Sequence, residues 1–503
     1  MTAIAAADSP AEGSRWPDWL GFKTIVFFFS TKAVRSGPKY MIQIAIVLIV
    51  GFVLTRLLLP YRLAEGLDYN QVVDWVTGDQ AAPVEDGGLR IVVFGEPDIA
   101  TPPRLTGSKH EDIGPSWTER VCEELECSEH LSFVPTSDGP VQSLASNSLY
   151  ETTLGNLLSR TRHNPEPGMN YTWMKELYPP PNRFPDLKAQ VDAFLSMEKP
   201  ALPPRETLYI FSFGMWDVWH VAGLPLEDGY AALADFTRHI FHQIEELYEE
   251  STNRESIAFS AGQPNKTTTE PDTFRVIVPR LFDPSMIPGW KFRSTPPAPH
   301  SNSEHLKNSA YLTMRWNWEM NNQIQNWIHK SEKDLKMRVE NNKVSANADI
   351  PASETTAETI NGAATPAPQT IPPIRDVIVP DVASYLVNSM IDSQMKYSGL
   401  VDHTPGSKLG QLPSRESFAD GSSACMSFRE AVSEKYKMDG SGAACNKHLY
   451  LSEFSVTQRA IREIGIDAAD MVTGDESIRS LTAKGKKAHK TPSWKTKSAK
   501  KFD

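Results

Sequence analysis

Six ionisable side chains lie beside short apolar runs. Glu96 and Asp98 follow LRIVVFG (89–95), Asp217 and His220 follow TLYIFSFG (207–214), and His448 and Glu453 bracket LYLS (449–452). If these runs are buried strands, their ends share one sheet edge, where open α/β proteins place their chemistry. Two carboxylates about 5–9 Å apart at such an edge can perform acid–base glycoside chemistry. The plainer alternative makes Glu96, Asp98 and Glu453 solvated loop residues and Asp217 a turn cap. His220 is either a base or a packing histidine beside Trp216 and Trp219. Those two tryptophans, with Trp173 and Trp290, are either an aromatic floor for a sugar or acyl chain or part of a core. Ser452 and Ser455 read as N-caps of the last helix.

The elements that would position these residues alternate. LRIVVFG, TLYIFSFG, FRVIVP (274–279) and RDVIVPDV (375–382) read as buried strands. Ser116–Glu126, Tyr230–Glu250, Tyr311–Asp334 and Val456–Met471 carry helical spacing. Strands separated by helices of this length predict an α/β, three-layer, doubly wound parallel sheet. Residues 341–373, rich in Ala, Thr, Pro, Ser and Asn, read as a disordered insertion, and 291–308 as an irregular insert.

Taken in order, these blocks resemble the GDSL/SGNH esterase and lipase family. IVVFGEPDIATP (91–102) resembles its first strand and Gly-Asp-Ser, and GPSWTERVCEELEC (114–127) the segment after it. LYIFSFGMWDVW (208–219) resembles the strand ending in Gly-x-Asn-Asp, FRVIVPRLFDPSMIPGW (274–290) the strand with a Pro-rich exit, and HLYLSEFSVTQRAIREIG (448–465) the final Asp-x-x-His and its helix. The resemblance spans roughly residues 89–470 and implies an SGNH-hydrolase-like domain. It also implies that the catalytic residues are gone. Glu96-Pro97 stands at the nucleophile, Trp216 at the Asn oxyanion donor beside Asp217, and Ser452 and Ser455 at the Asp and His. Proline offers neither a nucleophile nor an N–H.

Met41–Leu59 is apolar and 19 residues long, close to a hydrocarbon core of roughly 30 Å. Lys23, Lys32, Arg35 and Lys39 precede it and Glu65, Asp68, Asp74 and Asp79 follow, which predicts a single-pass anchor with a cytosolic N-terminus. The organisation expected is a cytosolic segment (1–40), a transmembrane helix (41–59), a stalk (60–88), the SGNH-like domain (89–475) and a basic disordered tail (476–503). Asn170-Tyr-Thr and Asn265-Lys-Thr are then glycosylation candidates. Cys425 and Cys445 flank a Gly/Ser-rich stretch and are expected to pair, whereas Cys122 and Cys127 do not face each other on a continuous helix.

The net charge of −11 over 503 residues argues against general nucleic-acid binding. It is uneven: from Lys484 onward eight lysines face one aspartate, a tail suited to acidic glycans or lipid headgroups if it is not simply solvated. No Cys-x-x-Cys pair suggests zinc, and no cofactor is expected. The expectation is a membrane-anchored protein of the secretory pathway or cell surface. It is catalytically inactive, Asp98, Trp216, Trp219 and His220 are candidates to line a relic cleft that either holds a glycan or lipid or is plugged by Trp216, and its protein partners are unspecified. The alternative is a hydrolase of lipid or polysaccharide esters with a non-standard site.

Overall fold

A computed structural model describes residues 87–102, 114–136, 142–164, 166–262, 272–346, 372–400, 417–431 and 445–474, with the backbone alone for 331–346. The predicted anchor Met41–Leu59, most of the stalk, Asn265 and the basic tail lie outside these residues. Among the described residues no helix is long and apolar enough to cross a membrane.

The protein is α/β. Strand β1 (Leu89–Gly95) leads to helix α1 (Trp117–Glu124), short strand β2 (Glu129–Ser132), and helices α2 (Asn147–Thr161) and α3 (Leu187–Leu195). Strand β3 (Glu206–Ser212) is followed by α4 (Met215–Val221) and α5 (Leu226–Ser251). Then come β4 (Thr273–Ile277), two 3-10 turns (Pro284–Met286 and Pro288–Phe292), α6 (Asn302–Ala346), β5 (Ile374–Ile378) and α7 (Val382–Tyr397). Strands β6 (Asp420–Ala424), β7 (His448–Ser452) and β8 (Ser455–Val456) and helix α8 (Gln458–Thr473) complete it.

Five parallel strands form the central sheet in the order β2-β1-β3-β4-β5, one compatible with a doubly wound fold. Helices flank it: α2, α3 and α6 pack against α5, and α1 against α8. β1 and β3 are buried along almost their whole length, as their unbroken apolar runs demand. A separate three-stranded sheet orders as β6-β7-β8.

Several expectations are corrected. The helix predicted over Tyr311–Asp334 runs from Asn302 to Ala346, so the insert expected at 291–308 and the disorder expected from 341 both give way to helix at that helix's ends. Strand β2 is polar (EHLS) and only partly buried, as fits an edge, and lacks the apolar run that reveals a strand. Helix α8 begins after Thr457, so Ser452 and Ser455 do not cap it; they sit in β7 and β8, and Thr457 makes no side-chain cap bond.

Both cysteine pairs are disulfides, with Cα atoms 5.7 Å apart for Cys425–Cys445 and 4.9 Å for Cys122–Cys127. The second is feasible because α1 stops at Glu124. Glu126 then takes a left-handed φ of 52° and folds Cys127 back over the helix end.

Gly214 joins β3 to α4 with φ 123°, and a Cβ there would meet the Trp316 ring at 2.7 Å. Gly214→Ala should therefore lose about 2–4 kcal/mol through backbone strain and overpacking. Gly155→Ala, in an exposed turn of α2 with nothing within 4 Å, should gain up to about 1 kcal/mol. Urea unfolding of both variants beside the parent measures the contrast.

Candidate functional site

The carboxyl ends of β1 and β3 meet where sequence places the candidate residues. Gly95, the last residue of β1, is held by Gln190 of α3: its N–H donates to Oε1 at 2.8 Å and its carbonyl accepts from Nε2 at 2.9 Å. The next residue, Glu96, is 1 % exposed. Its carboxyl accepts from the N–H groups of Met215 at 2.5 Å and Trp216 at 3.1 Å, the first turn of α4. Gly214 has no side chain to cap that helix, so Glu96 caps it from the neighbouring strand. Burial, then the charge of Asp217, pushes the Glu96 pKa well above the carboxylate range, against the pull of the two N–H groups.

Asp217 is fully buried, and its Oδ1 accepts from the Ala145 N–H at 3.0 Å. Burial pushes its pKa up to about 7, opposed by the backbone N–H groups around it. Asp98 is tied down at both oxygens. Oδ1 accepts from Ala100 N at 3.0 Å and Thr101 Oγ1 at 2.8 Å, and Oδ2 from Trp117 Nε1 at 2.9 Å and Ser212 Oγ at 2.5 Å.

The aromatic residues close the space that remains. Trp216 is 2 % exposed and donates its indole N–H to the Pro97 carbonyl at 3.2 Å. Its ring lies 5.4 Å from Trp219 and 5.6 Å from Phe454, and Trp219 lies 5.0 Å from Trp290. These rings pack against one another and offer no open stacking face. Trp173 is also buried, beside His300 and His305. A cavity of ≈ 40 Å³ is left, lined by Glu96, Asp98, Ser212, Met215, Phe282 and Ile287 among others. It has room for a water, whereas ligand sites run to about 300–1,000 Å³.

His220 is fully buried on α4, its Nδ1 2.9 Å from the Trp216 carbonyl and its ring edge-on to Tyr150. Burial, then Arg293, lowers its pKa to about 4, so it is neutral. The Ser452 and Ser455 hydroxyls share a 2.7 Å hydrogen bond. Glu453 accepts from the Phe428 N–H, and its carbonyl accepts from the Gly289 N–H at 2.8 Å. His448, at the opposite end of β7, faces Asp420 at 3.8 Å and takes no part in these contacts. Thus Glu96, Pro97, Asp98, Trp216, Asp217, Trp219 and His220 gather around α4, and His448 stands apart. Among the described residues no group of His, Cys, Asp or Glu could hold a metal.

Three members escaped the sequence reading. Gln190 and Phe454 carry no motif, and Ser212 lies inside an apolar strand run. Asn170 is exposed, and its side-chain oxygen accepts from Thr172 N at 3.1 Å and Thr172 Oγ1 at 2.7 Å. No family model matches the chain, and no curated protein matches it.

Trp216→Ala should destabilise the fold by about 3–5 kcal/mol, the cost of truncating a core aromatic. A thermal midpoint that stays put would mean the ring is not filling the site.

The acids give a pH signature. A carboxyl with a raised folded pKa contributes stability that is complete below its unfolded value and is lost as pH rises through the folded one. For Asp217 that window runs from 3.8 to about 7, and Glu96 acts in the same direction. Denaturation across this range should show stability falling with pH, and Asp217→Asn, neutral throughout, should flatten the slope.

Proposed function

We propose that this chain is a membrane-anchored, SGNH-hydrolase-like protein whose former active site has become structural, and that it works by binding or scaffolding rather than by turnover. Met41–Leu59 would be its single span, with the domain on the lumenal or extracellular side. Two disulfides fit an oxidising compartment, and exposed Asn170 fits a glycosylated surface. A glycan or a lipid remains the ligand class, met on a surface other than the filled cleft.

One observation carries this reading. Acyl transfer needs a hydroxyl beside a base and donors aimed at the developing oxyanion. Here the N–H groups that open α4, the natural donors at this edge, are taken by the Glu96 carboxyl. Trp216 fills the adjoining space, and Ser452 and Ser455, at the positions the resemblance gives to the Asp and His, bond to each other.

A second reading, an ester hydrolase with a non-standard nucleophile, draws support from Ser212. Its hydroxyl donates to Asp98 at 2.5 Å beside the small cavity. A carboxylate can orient that hydroxyl, but no imidazole is there to take its proton.

The full chain should not be labelled by a fluorophosphonate probe and should not hydrolyse p-nitrophenyl acetate. Pro97→Ser should restore neither, because no base stands at Ser455. Stoichiometric labelling of Ser212, mapped by mass spectrometry, would replace this reading with the second.

A further inference from the structure

Beside the aromatic cluster lies a buried cation with no counter-ion among the described residues. Arg293 follows the 3-10 turn Pro288–Phe292 and is 5 % exposed. Its guanidinium lies 4.0 Å from the Tyr178 ring centre, 4.9 Å from Trp290 and 5.2 Å from Trp219. Nη1 donates to the Trp219 carbonyl, and Nε points at His305 Nδ1 at 3.4 Å. Nη2 is buried and finds no acceptor among the described residues. Among the described residues no carboxylate pairs with this arginine; the groups that act on its charge are the hydroxyls of Tyr178 and Tyr150. The nearby acid Glu304 lies by His300 instead, 3.4 Å from its Nδ1.

His305 adds a second donor. It is 1 % exposed, and burial followed by the Arg293 charge lowers its pKa to about 3, so the ring is neutral. With Nδ1 facing the Arg293 N–H, the ring proton sits on Nε2, which is buried and also lacks an acceptor. Two buried N–H donors on touching side chains are thus unsatisfied, and one belongs to a full positive charge. Buried charges are ordinarily paired, because an isolated one forfeits several kcal/mol of hydration. Three aromatic faces and one carbonyl offset part of that loss but provide no negative charge.

We propose that Arg293, framed by Tyr178, Trp219 and Trp290 and backed by His305, holds a buried halide, chloride under ordinary conditions. A monatomic anion supplies the missing charge, accepts from Nη2, and needs less room among packed rings than a polyatomic one. Bound there, it ties the Pro288–Phe292 turn and α4 to the start of α6. This site is independent of any relation to the hydrolases.

Thermal unfolding of the full chain in potassium gluconate, chloride and bromide at constant ionic strength tests it. The midpoint should climb with chloride or bromide, by about 2 °C per tenfold once the halide exceeds its dissociation constant. Arg293→Gln should abolish that response, and His305→Gln should weaken it if the first variant fails to fold. Bromide-soaked crystals should give an anomalous peak beside Nη2. Equal midpoints in gluconate and chloride, an undiminished response in Arg293→Gln, or an ordered water alone at Nη2 would overturn it.

Discussion

The carboxyl of Glu96 closing on the first N–H groups of α4 is the contact on which this end of the molecule rests. A strand that ends against another strand's following helix must satisfy that helix's free donors or leave them buried. Gly214 cannot do so: its φ of 123° and the Trp316 ring exclude any side chain. Glu96 does so from β1, and Gln190 fixes the residue before it through two hydrogen bonds. The geometry that would serve an oxyanion thus serves a side chain of the protein itself, permanently present.

That choice sets the electrostatics of its neighbours. Glu96, buried above α4, is driven toward its neutral form by that burial and then by the charge of Asp217, and Asp217 is driven the same way by its own burial. Two acids can share such a site only if protons remain there well into the neutral range. The aromatic residues add the opposite contribution. Trp216 alone removes about 150–250 Å² from water, worth about 4–6 kcal/mol at roughly 25 cal/mol per Å². Apolar filling, not charge, is therefore what makes the arrangement favourable.

How much of this was visible in sequence follows from the kind of interaction. β1 and β3 are near-continuous apolar runs, buried along almost their whole length, and β4 and β5 keep the apolar pairs Val276-Ile277 and Val377-Ile378 after a charged residue, so all four can be read directly. β2 is a polar edge strand, and nothing in Glu129–Ser132 marks it. α4 escaped for the opposite reason. MWDVWHV is buried on every side, so it shows no periodic contrast between faces. The types and positions of Glu96, Trp216 and Asp217 stood out, but not their roles. A cap supplied across 119 residues, or an indole bonded to the carbonyl of Pro97, leaves no local pattern. The Cys122–Cys127 pair was obscured because helix spacing extrapolates past the turn at Glu126.

Helix α4 shows why the filled site is a fixed part of the fold. Seven residues make too short a helix to persist alone. Glu96 satisfies its start, and Asn308 of α6 donates to the Ala222 and Leu224 carbonyls at 3.1 and 3.2 Å beyond its end. Asp217 joins its middle to Ala145, and the Trp219 carbonyl accepts from Arg293. Four separate segments thus hold one short helix through side chain to backbone bonds. Moving it aside to open a cleft would strand buried donors and acceptors at several points together, each costing about 1–3 kcal/mol. A lid has to be weakly held along one edge; this helix is held at both ends and through its middle, so it does not swing aside as a lid would.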